Sequence, residues 1–398
     1  MTRSERRQSL LTEHYSGAGL YLHIPFCSSI CPYCDFAVLK GDRERREQFV
    51  ETLVAEIRLY EGYEVRFDTI YFGGGTPSLL CGEELERVMD ALRRHLDISD
   101  RAWVSLEANP EDVSVDSLAS WRRLGVRTLT LGVQSFGDAE LSFLGREHDS
   151  ETARRAVEKA LAAGFHTVSL DLIYGLPDQS TLMWRCQLDT AIRLAPDHLS
   201  CYQLTVHEKT VFGVKRRRGQ LVELADDSQT ELFFETHHRL RNAGYEGYEV
   251  SNFARRPEHR SPHNYKYWHH TPYLGLGPSA HSFDGRVRWW NEWKEGPWSR
   301  AVRGGKRPVA GREDLSLREL LLERLMLGLR TTEGVDLEEI RARHGVDLWR
   351  TNGEVIEEQV RAGRLALEGR RLVPTLAGMA VADSLALAFE VPGQAPSR

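Results

Sequence analysis

Six times between Tyr21 and about Gly244 the chain runs from a short apolar segment into a helix-length amphipathic stretch. The short segments are rich in β-branched and aromatic residues: Leu20–Ile24, Thr69–Phe72, Trp103–Glu107, Thr128–Val133, Thr167–Ile173 and His198–Leu204. Between and after them lie Arg43–Leu59, Glu83–His95, Val115–Leu124, Glu151–Ala163, Leu182–Leu194 and Ser228–Ala243. Such alternation predicts an α/β fold, a parallel sheet with right-handed helical crossovers. Six units fall short of the eight that close a full barrel, so the expectation is a partial barrel. Functional residues should then gather in the loops at the C-terminal ends of the strands.

The loop after the first strand meets that expectation at once. It reads HIPFCSSICPYCDF and carries Cys27, Cys31 and Cys34 as Cys-x3-Cys-x2-Cys. A closed iron–sulfur or zinc site normally takes four protein ligands. Three thiolates on a four-iron cube leave one iron open, where a ligand can enter. A disulfide takes cysteines in pairs and needs an oxidising compartment. A structural zinc would need His23 as its fourth ligand, yet His23 reads as part of the strand. The spacing therefore points to an open [4Fe-4S] site, with zinc or unrelated buried thiols as the alternatives. Cys81, Cys186 and Cys201 are scattered and read as buried or inert thiols. A reducing compartment follows, and a cytoplasmic location is the expectation.

Charge and hydropathy exclude some partners. The net charge is −6, with 28% charged residues and no basic stripe. No nucleic acid is expected as a partner. The run Lys215–Arg218 reads as a solvated loop, because Glu223, Asp226 and Asp227 follow closely. No apolar run reaches the ~18 residues of a transmembrane segment. The first fifteen residues, MTRSERRQSLLTEHY, are basic but lead into no apolar core of a secretory signal. Glu5 and Glu13 weaken a mitochondrial reading.

The chain divides by character into an N-terminal extension (1–19), a barrel (20–245), an aromatic and histidine-rich connecting segment (246–310) and a C-terminal helical domain (311–398). The connecting segment looks irregular, with little helical period. The last part offers helices at Leu315–Gly328, Leu337–His344 and Val355–Ala362, then a hairpin of Leu365–Leu367 and Leu372–Pro374. That order is winged-helix-like. Interleaved acidic residues argue for a lid or docking surface rather than DNA binding.

After the second strand comes Gly73-Gly74-Gly75-Thr76-Pro77. Glycines here let backbone approach a ligand and expose its polar groups. The Lys-Ser/Thr end of a P-loop is missing. A tight strand-to-helix turn is the plainer reading, but beside an open cluster the loop could offer acceptors to an ammonium.

CxxxCxxC after the first strand with GGGTP after the second resembles the radical S-adenosylmethionine superfamily. YLHIPFCSSICPYCDF, IYFGGGTPS, LEANPED, LGVQSF, LGREH and LDLIYGLP together resemble the oxygen-independent coproporphyrinogen III oxidase family, over about residues 20–380. The resemblance implies a partial (β/α)6 barrel with a C-terminal helical domain. It implies that Cys27, Cys31 and Cys34 hold the cluster and that S-adenosylmethionine chelates the open iron through its amino and carboxylate groups. Tyr33 would lie against the adenine, and Gly74, Gly75 and Thr76 would bind the methionine amino group. Tyr21, Glu107, Gln134, Arg146 and Asp171 match positions lining the adenosylmethionine sites. Arg146 offers a planar fork to a carboxylate. The plainer alternative for Asp171 is a satisfied polar group inside the barrel.

Two departures bear on the branch. Phe36 stands where the authentic oxidases carry a further cysteine. The stretch His263-Asn264-Tyr265-Lys266-Tyr267-Trp268, read as HNxxYW, resembles the heme-chaperone branch, regarded as lacking the oxidase reaction. That branch implies heme as a ligand, an unidentified heme-acceptor protein as partner, and a homodimer. Heme takes an axial imidazole and an aromatic pocket, and His263 lies among Tyr265, Tyr267 and Trp268. The plainer reading has His263 and Asn264 hydrogen-bonding a loop that caps the barrel mouth. His269, His270 and His281 are rival ligands. Oxidative decarboxylation of coproporphyrinogen III, or another radical reaction on a tetrapyrrole, remains the competing function.

Overall fold

The computed structural model describes residues 16–391. The basic N-terminal stretch and most of the 1–19 extension lie outside the described residues.

All six expected strands form: β1 (Ala18–Ile24), β2 (Phe67–Gly74), β3 (Ile98–Ala108), β4 (Val126–Gln134), β5 (Thr167–Tyr174) and β6 (His198–Gln203). They are parallel and adjacent in sequence order. The crossover helices run at Arg43–Arg58, Gly82–His95, Val115–Leu124, Ser150–Ala162 and Thr181–Leu194. Local chemistry sets their ends. Asp42 accepts the Arg45 N–H at the start of the first, and Gly125, in the left-handed region, stops the third.

The strands alternate strictly. One face carries Leu20, Leu22, Ile24, Ile70, Phe72, Val104, Leu106, Leu129, Leu131, Leu170 and Leu172, all buried in one core under the helices. The opposite face carries Tyr71, Glu107, Thr130, Ser169, Asp171 and Ser200, which line a polar interior. A parallel sheet covered on both faces would usually be apolar on both. Here the inner face is given over to polar chemistry.

The parallel run does not close on itself. β1 pairs on its outer side with β9 (Tyr273–Leu276), and β6 pairs with β8 (Asn252–Ala254). Residues 246–310, read from sequence as irregular, instead extend the sheet at both ends. They contribute β7 (Glu246–Gly247), β8, β9, β10 (His281–Phe283), β11 (Val287–Asn291) and the start of β12 (Val309–Asp314). Helices Pro262–Trp268 and Glu295–Arg303 lie among them. The order among the described residues is β12-β11-β10-β9-β1-β2-β3-β4-β5-β6-β8-β7. These strands have only two to six residues each, too few to show a period.

The C-terminal module has its own core, including Leu321, Leu325, Ile340, Ile356 and Leu372. Its helices run at Leu317–Gly328, Leu337–His344 and Leu348–Arg361, with strands at Val335–Asp336, Leu365–Glu368 and Arg371–Pro374. Leu348–Arg361 begins earlier than the expected Val355 because Asp347 caps it, and Asn352 kinks it. The module docks on the sheet extension: Thr332 N–H donates to the Tyr248 carbonyl and Val250 N–H to that of Arg330. Two further differences from the sequence reading concern the surface. Cys81 and Cys186 are exposed, whereas Cys201 is buried. The basic run ends a helix, Val211–Arg217, rather than lying in a loop, and Arg216 pairs with Glu223 at 3.1 Å. Among the described residues no helix is long and apolar enough to cross a membrane.

Candidate functional site

The strand ends of β1–β6 surround a cavity of about 440 Å³. Cys27, Cys31 and Cys34 line it, with Tyr33, Gly74, Gly75, Thr76, Glu107, Gln134, Arg146 and Asp171. Eleven of the twelve residues expected at the cluster and adenosylmethionine sites therefore meet in one chamber. Tyr21 is the exception. It lines a second cavity beyond β1, and burial, then the charge of Glu107, raises its phenol's pKa.

Backbone bonds hold the cysteine loop. Cys27 N–H donates to the Leu39 carbonyl at 3.0 Å, and Cys34 N–H to that of Cys31 at 3.1 Å. Across the chamber Phe212 N–H donates to the Pro32 carbonyl at 2.9 Å. The glycine loop pins the start. Gly75 N–H donates to Ile24 and Thr76 N–H to Phe26, both at 2.7 Å, and Glu107 accepts from Gly74 N–H. Those three donors are thus spent inside the protein, so what this backbone can offer a ligand is carbonyl oxygen. That suits an ammonium, which has donors only.

Gly75 has no room for a side chain. A Cβ there would lie 2.6 Å from the Phe26 carbonyl oxygen and 2.9 Å from that of Ile24. Gly75→Ala is expected to break both bonds and shift the loop that carries Cys27, costing about 2–3 kcal/mol. Urea unfolding read alongside iron content checks this; an unchanged midpoint with full iron would refute the pinning role.

Arg146 spans the chamber. Its Nη1 donates to Cys31 Sγ at 3.5 Å, and Nη2 to Asn109 Oδ1 at 2.6 Å and the Gly132 carbonyl at 3.0 Å. Its Nε is buried with no partner among the described residues, a donor still available to a carboxylate. Asn109 also donates to Thr76 Oγ1 at 3.4 Å, and that hydroxyl lies 3.6 Å from Cys27 Sγ. Sequence reasoning did not single out Asn109, although it follows the Glu107 strand end within the quoted LEANPED string. Gln134 takes φ of 65°, held in the left-handed region where β4 breaks register with β5.

Burial dominates the electrostatics. It pushes the Cys27 thiol up to about 11. Burial, then the charge of Glu107, pushes Asp171 up to about 7. Glu107 is raised by burial against hydrogen bonds from Tyr71 and Gly74, the Tyr71 hydroxyl donating at 2.7 Å. Two carboxyl groups held this way would welcome a cation.

The donor set fits a cluster better than a single ion. Among the described residues no three His, Cys, Asp or Glu side chains converge on one point. His23, the candidate fourth zinc ligand, has Nε2 2.9 Å from the Ala37 carbonyl and Nδ1 3.2 Å from the Tyr21 hydroxyl. Three thiols around an open chamber, an unpartnered guanidinium N–H and a cradle that a Cβ would fill together fit an open cluster carrying an amino-acid ligand.

His263 lies outside the chamber. It is 1% exposed, with Nδ1 2.9 Å from Thr69 Oγ1 and Nε2 2.9 Å from the Tyr267 hydroxyl. Burial, then the charge of Lys266, lowers it to about 3. It stacks on Tyr71 with ring centroids 5.2 Å apart. Both ring nitrogens are engaged in this conformation. His269 and His270 give Nε2 to Glu333 and Glu323, on the C-terminal side, at 3.1 and 3.0 Å.

Comparisons with known proteins identify the family. Residues 21–182 match the model of the radical SAM superfamily, and residues 315–381 that of the HemN C-terminal domain. The chain is 36% identical over 374 residues to the heme chaperone HemW of Mycobacterium tuberculosis (strain H37Rv), covering 92% of this chain and 93% of that one. It is 39% identical over 277 residues to HemW of Escherichia coli (strain K12), covering 67% and 71%. A mitochondrial radical S-adenosyl methionine domain-containing protein 1 from Bos taurus is 34% identical over 388 residues, covering 94% and 87%. The solved structure of the E. coli coproporphyrinogen III oxidase HemN superposes with a TM-score of 0.80 at 21% identity, covering 98% of this chain and 93% of that one, a likeness of fold. The chain belongs to the radical SAM superfamily, in the HemN/HemW family and on the side of the HemW heme chaperones.

Proposed function

We propose that this chain is a heme chaperone: it binds heme, passes it to an acceptor protein, and carries a [4Fe-4S] cluster and S-adenosylmethionine. Cys27, Cys31 and Cys34 would hold the cluster. The carbonyls of the Gly74–Thr76 turn would take the methionine ammonium and the spare Nε–H of Arg146 its carboxylate. Tyr33 would flank the adenine, while Glu107 and Asp171 face the positive sulfonium. Bound there, the cluster and adenosylmethionine supply one-electron chemistry. The protein's own part is to orient the ligand, hold two carboxyl groups near it, and fix the cysteine loop through the bond from Phe212 N–H to the Pro32 carbonyl.

The observation that carries the chaperone reading over the oxidase reading is Phe36. Its ring is 63% exposed and lines both the cysteine chamber and the neighbouring aromatic cavity. A phenyl ring there can neither ligate a metal nor move a proton, but it offers a flat face to an apolar macrocycle. The whole-length likeness to proteins named as heme chaperones supports the same reading.

An anaerobic assay tests it. Reconstituted protein is given a low-potential electron donor, adenosylmethionine and coproporphyrinogen III, and in parallel is titrated with ferric heme. Stoichiometric heme binding without vinyl product is expected. Protoporphyrinogen formed over many turnovers would overturn the chaperone reading in favour of oxidative decarboxylation.

A further inference from the structure

Beyond β1 lies a second cavity of about 320 Å³, walled largely by aromatic rings. Phe36 reaches it from the cysteine loop, Tyr267 from the helix Pro262–Trp268, and Trp293 from the segment after β11. Trp293 is 57% exposed and Phe36 63%. Two large rings left in solvent on separate segments, facing one hollow, are unusual for a soluble surface and mark a place for an apolar ligand. His281 opens β10 and lines the same hollow.

We propose that this cavity is the heme site and that His281 supplies the axial nitrogen, an inference that rests on the heme-chaperone reading above. An axial ligand needs an imidazole with a free lone pair. Of the two histidines that line the cavity, His23 has both ring nitrogens engaged. His263 lies outside it with both engaged, and His269 and His270 do not line it. His281 stacks beside Trp290 at 5.9 Å, and no hydrogen bond holds its ring among the described residues. Burial and the Arg288 guanidinium lower its pKa, which keeps it neutral at physiological pH, as ligation requires.

The placement has a consequence for the other site. Phe36 is shared by both cavities, one residue beyond Asp35 and two beyond Cys34. A macrocycle packed on its ring would lie against the end of the cluster loop. His263, on this account, positions the wall. Through the Tyr267 hydroxyl it fixes one ring of the cavity without touching the iron.

The test is an anaerobic titration of the full reconstituted chain with ferric heme, read by the Soret band and by the EPR of the ferric iron. His281→Ala is expected to weaken binding by about tenfold or more and to lose the imidazole-ligated spectrum of the wild type. Added imidazole should restore that spectrum. His281→Cys should bind heme with a thiolate-type spectrum, a change that misfolding cannot mimic. Superimposable titrations of wild type and His281→Ala would overturn the assignment. So would loss of the imidazole-ligated spectrum in His263→Ala while His281→Ala keeps it. A wild-type chain that gives no Soret change at all would instead sink the heme-chaperone reading on which the assignment rests.

Discussion

Replacing Cys27, Cys31 or Cys34 singly with serine is expected to take bound iron from about four per chain to below one, while the protein still unfolds in a cooperative transition within about 1–2 kcal/mol of wild type. The first half follows from the donor set: with three thiols around the chamber, losing one leaves two, too few to hold a four-iron cube. The second half follows from how the loop is anchored. Its bonds run through backbone groups of Ile24, Phe26, Pro32 and Leu39, and none of the three thiols belongs to the main apolar core. Iron and sulfide analysis gives the first number and urea unfolding followed by circular dichroism the second. Heme binding should survive in the same variants, because the aromatic cavity takes its walls from Phe36, Tyr267, Trp293 and their neighbours and from none of the cysteines. Near-full iron in any of the three variants would remove that thiol from the ligand set.

The barrel was legible because its strands repeat one rule. Leu20, Leu22 and Ile24 alternate with Tyr21 and His23, and each later strand does the same at helix-length spacing. Most site residues were legible because they fall at the ends of those strands or in the turns that follow. The sheet extension was not. β8 and β10 are three residues each and β9 is four, so no period can emerge, and their pairing partners β6 and β1 are distant in sequence. His263 shows the limit of a motif. Its aromatic neighbours were visible in HNxxYW, but Thr69, which takes its Nδ1, is 194 positions away. Residues such as Asn109 escaped notice for a similar reason: an amide after a strand is ordinary until Arg146 and Thr76 are found on either side of it.

Glu56 carries the second large effect, and sequence pattern hides it as a charge on an amphipathic helix. In the fold it is fully buried. It accepts the Gly277 N–H at 2.8 Å, Asn291 Nδ2 at 2.7 Å and Trp298 Nε1 at 2.9 Å. One carboxyl group thus ties the first crossover helix to β9's end, β11 and the helix Glu295–Arg303, the elements that back the aromatic cavity. Glu56→Ala orphans three buried donors and is expected to cost about 4 kcal/mol at pH 5. Burial outweighs the three bonds and raises the group to about 7 from its ordinary 4.5. A raised folded-state value means that the stabilisation is fully present below about pH 4.5 and is lost as pH rises through about 7. Against Glu56→Gln, which cannot titrate, wild type should therefore lose about 3 kcal/mol of relative stability across that window. Urea unfolding of both proteins at pH 5, 6 and 7 reads the difference directly. Parallel stability curves would mean that the carboxyl group stays ionised throughout, its three donors prevailing over burial. A narrowing gap would mean that the strut under the proposed heme site weakens near neutral pH, at the β9–β11 edge that Glu56 ties to the first crossover helix.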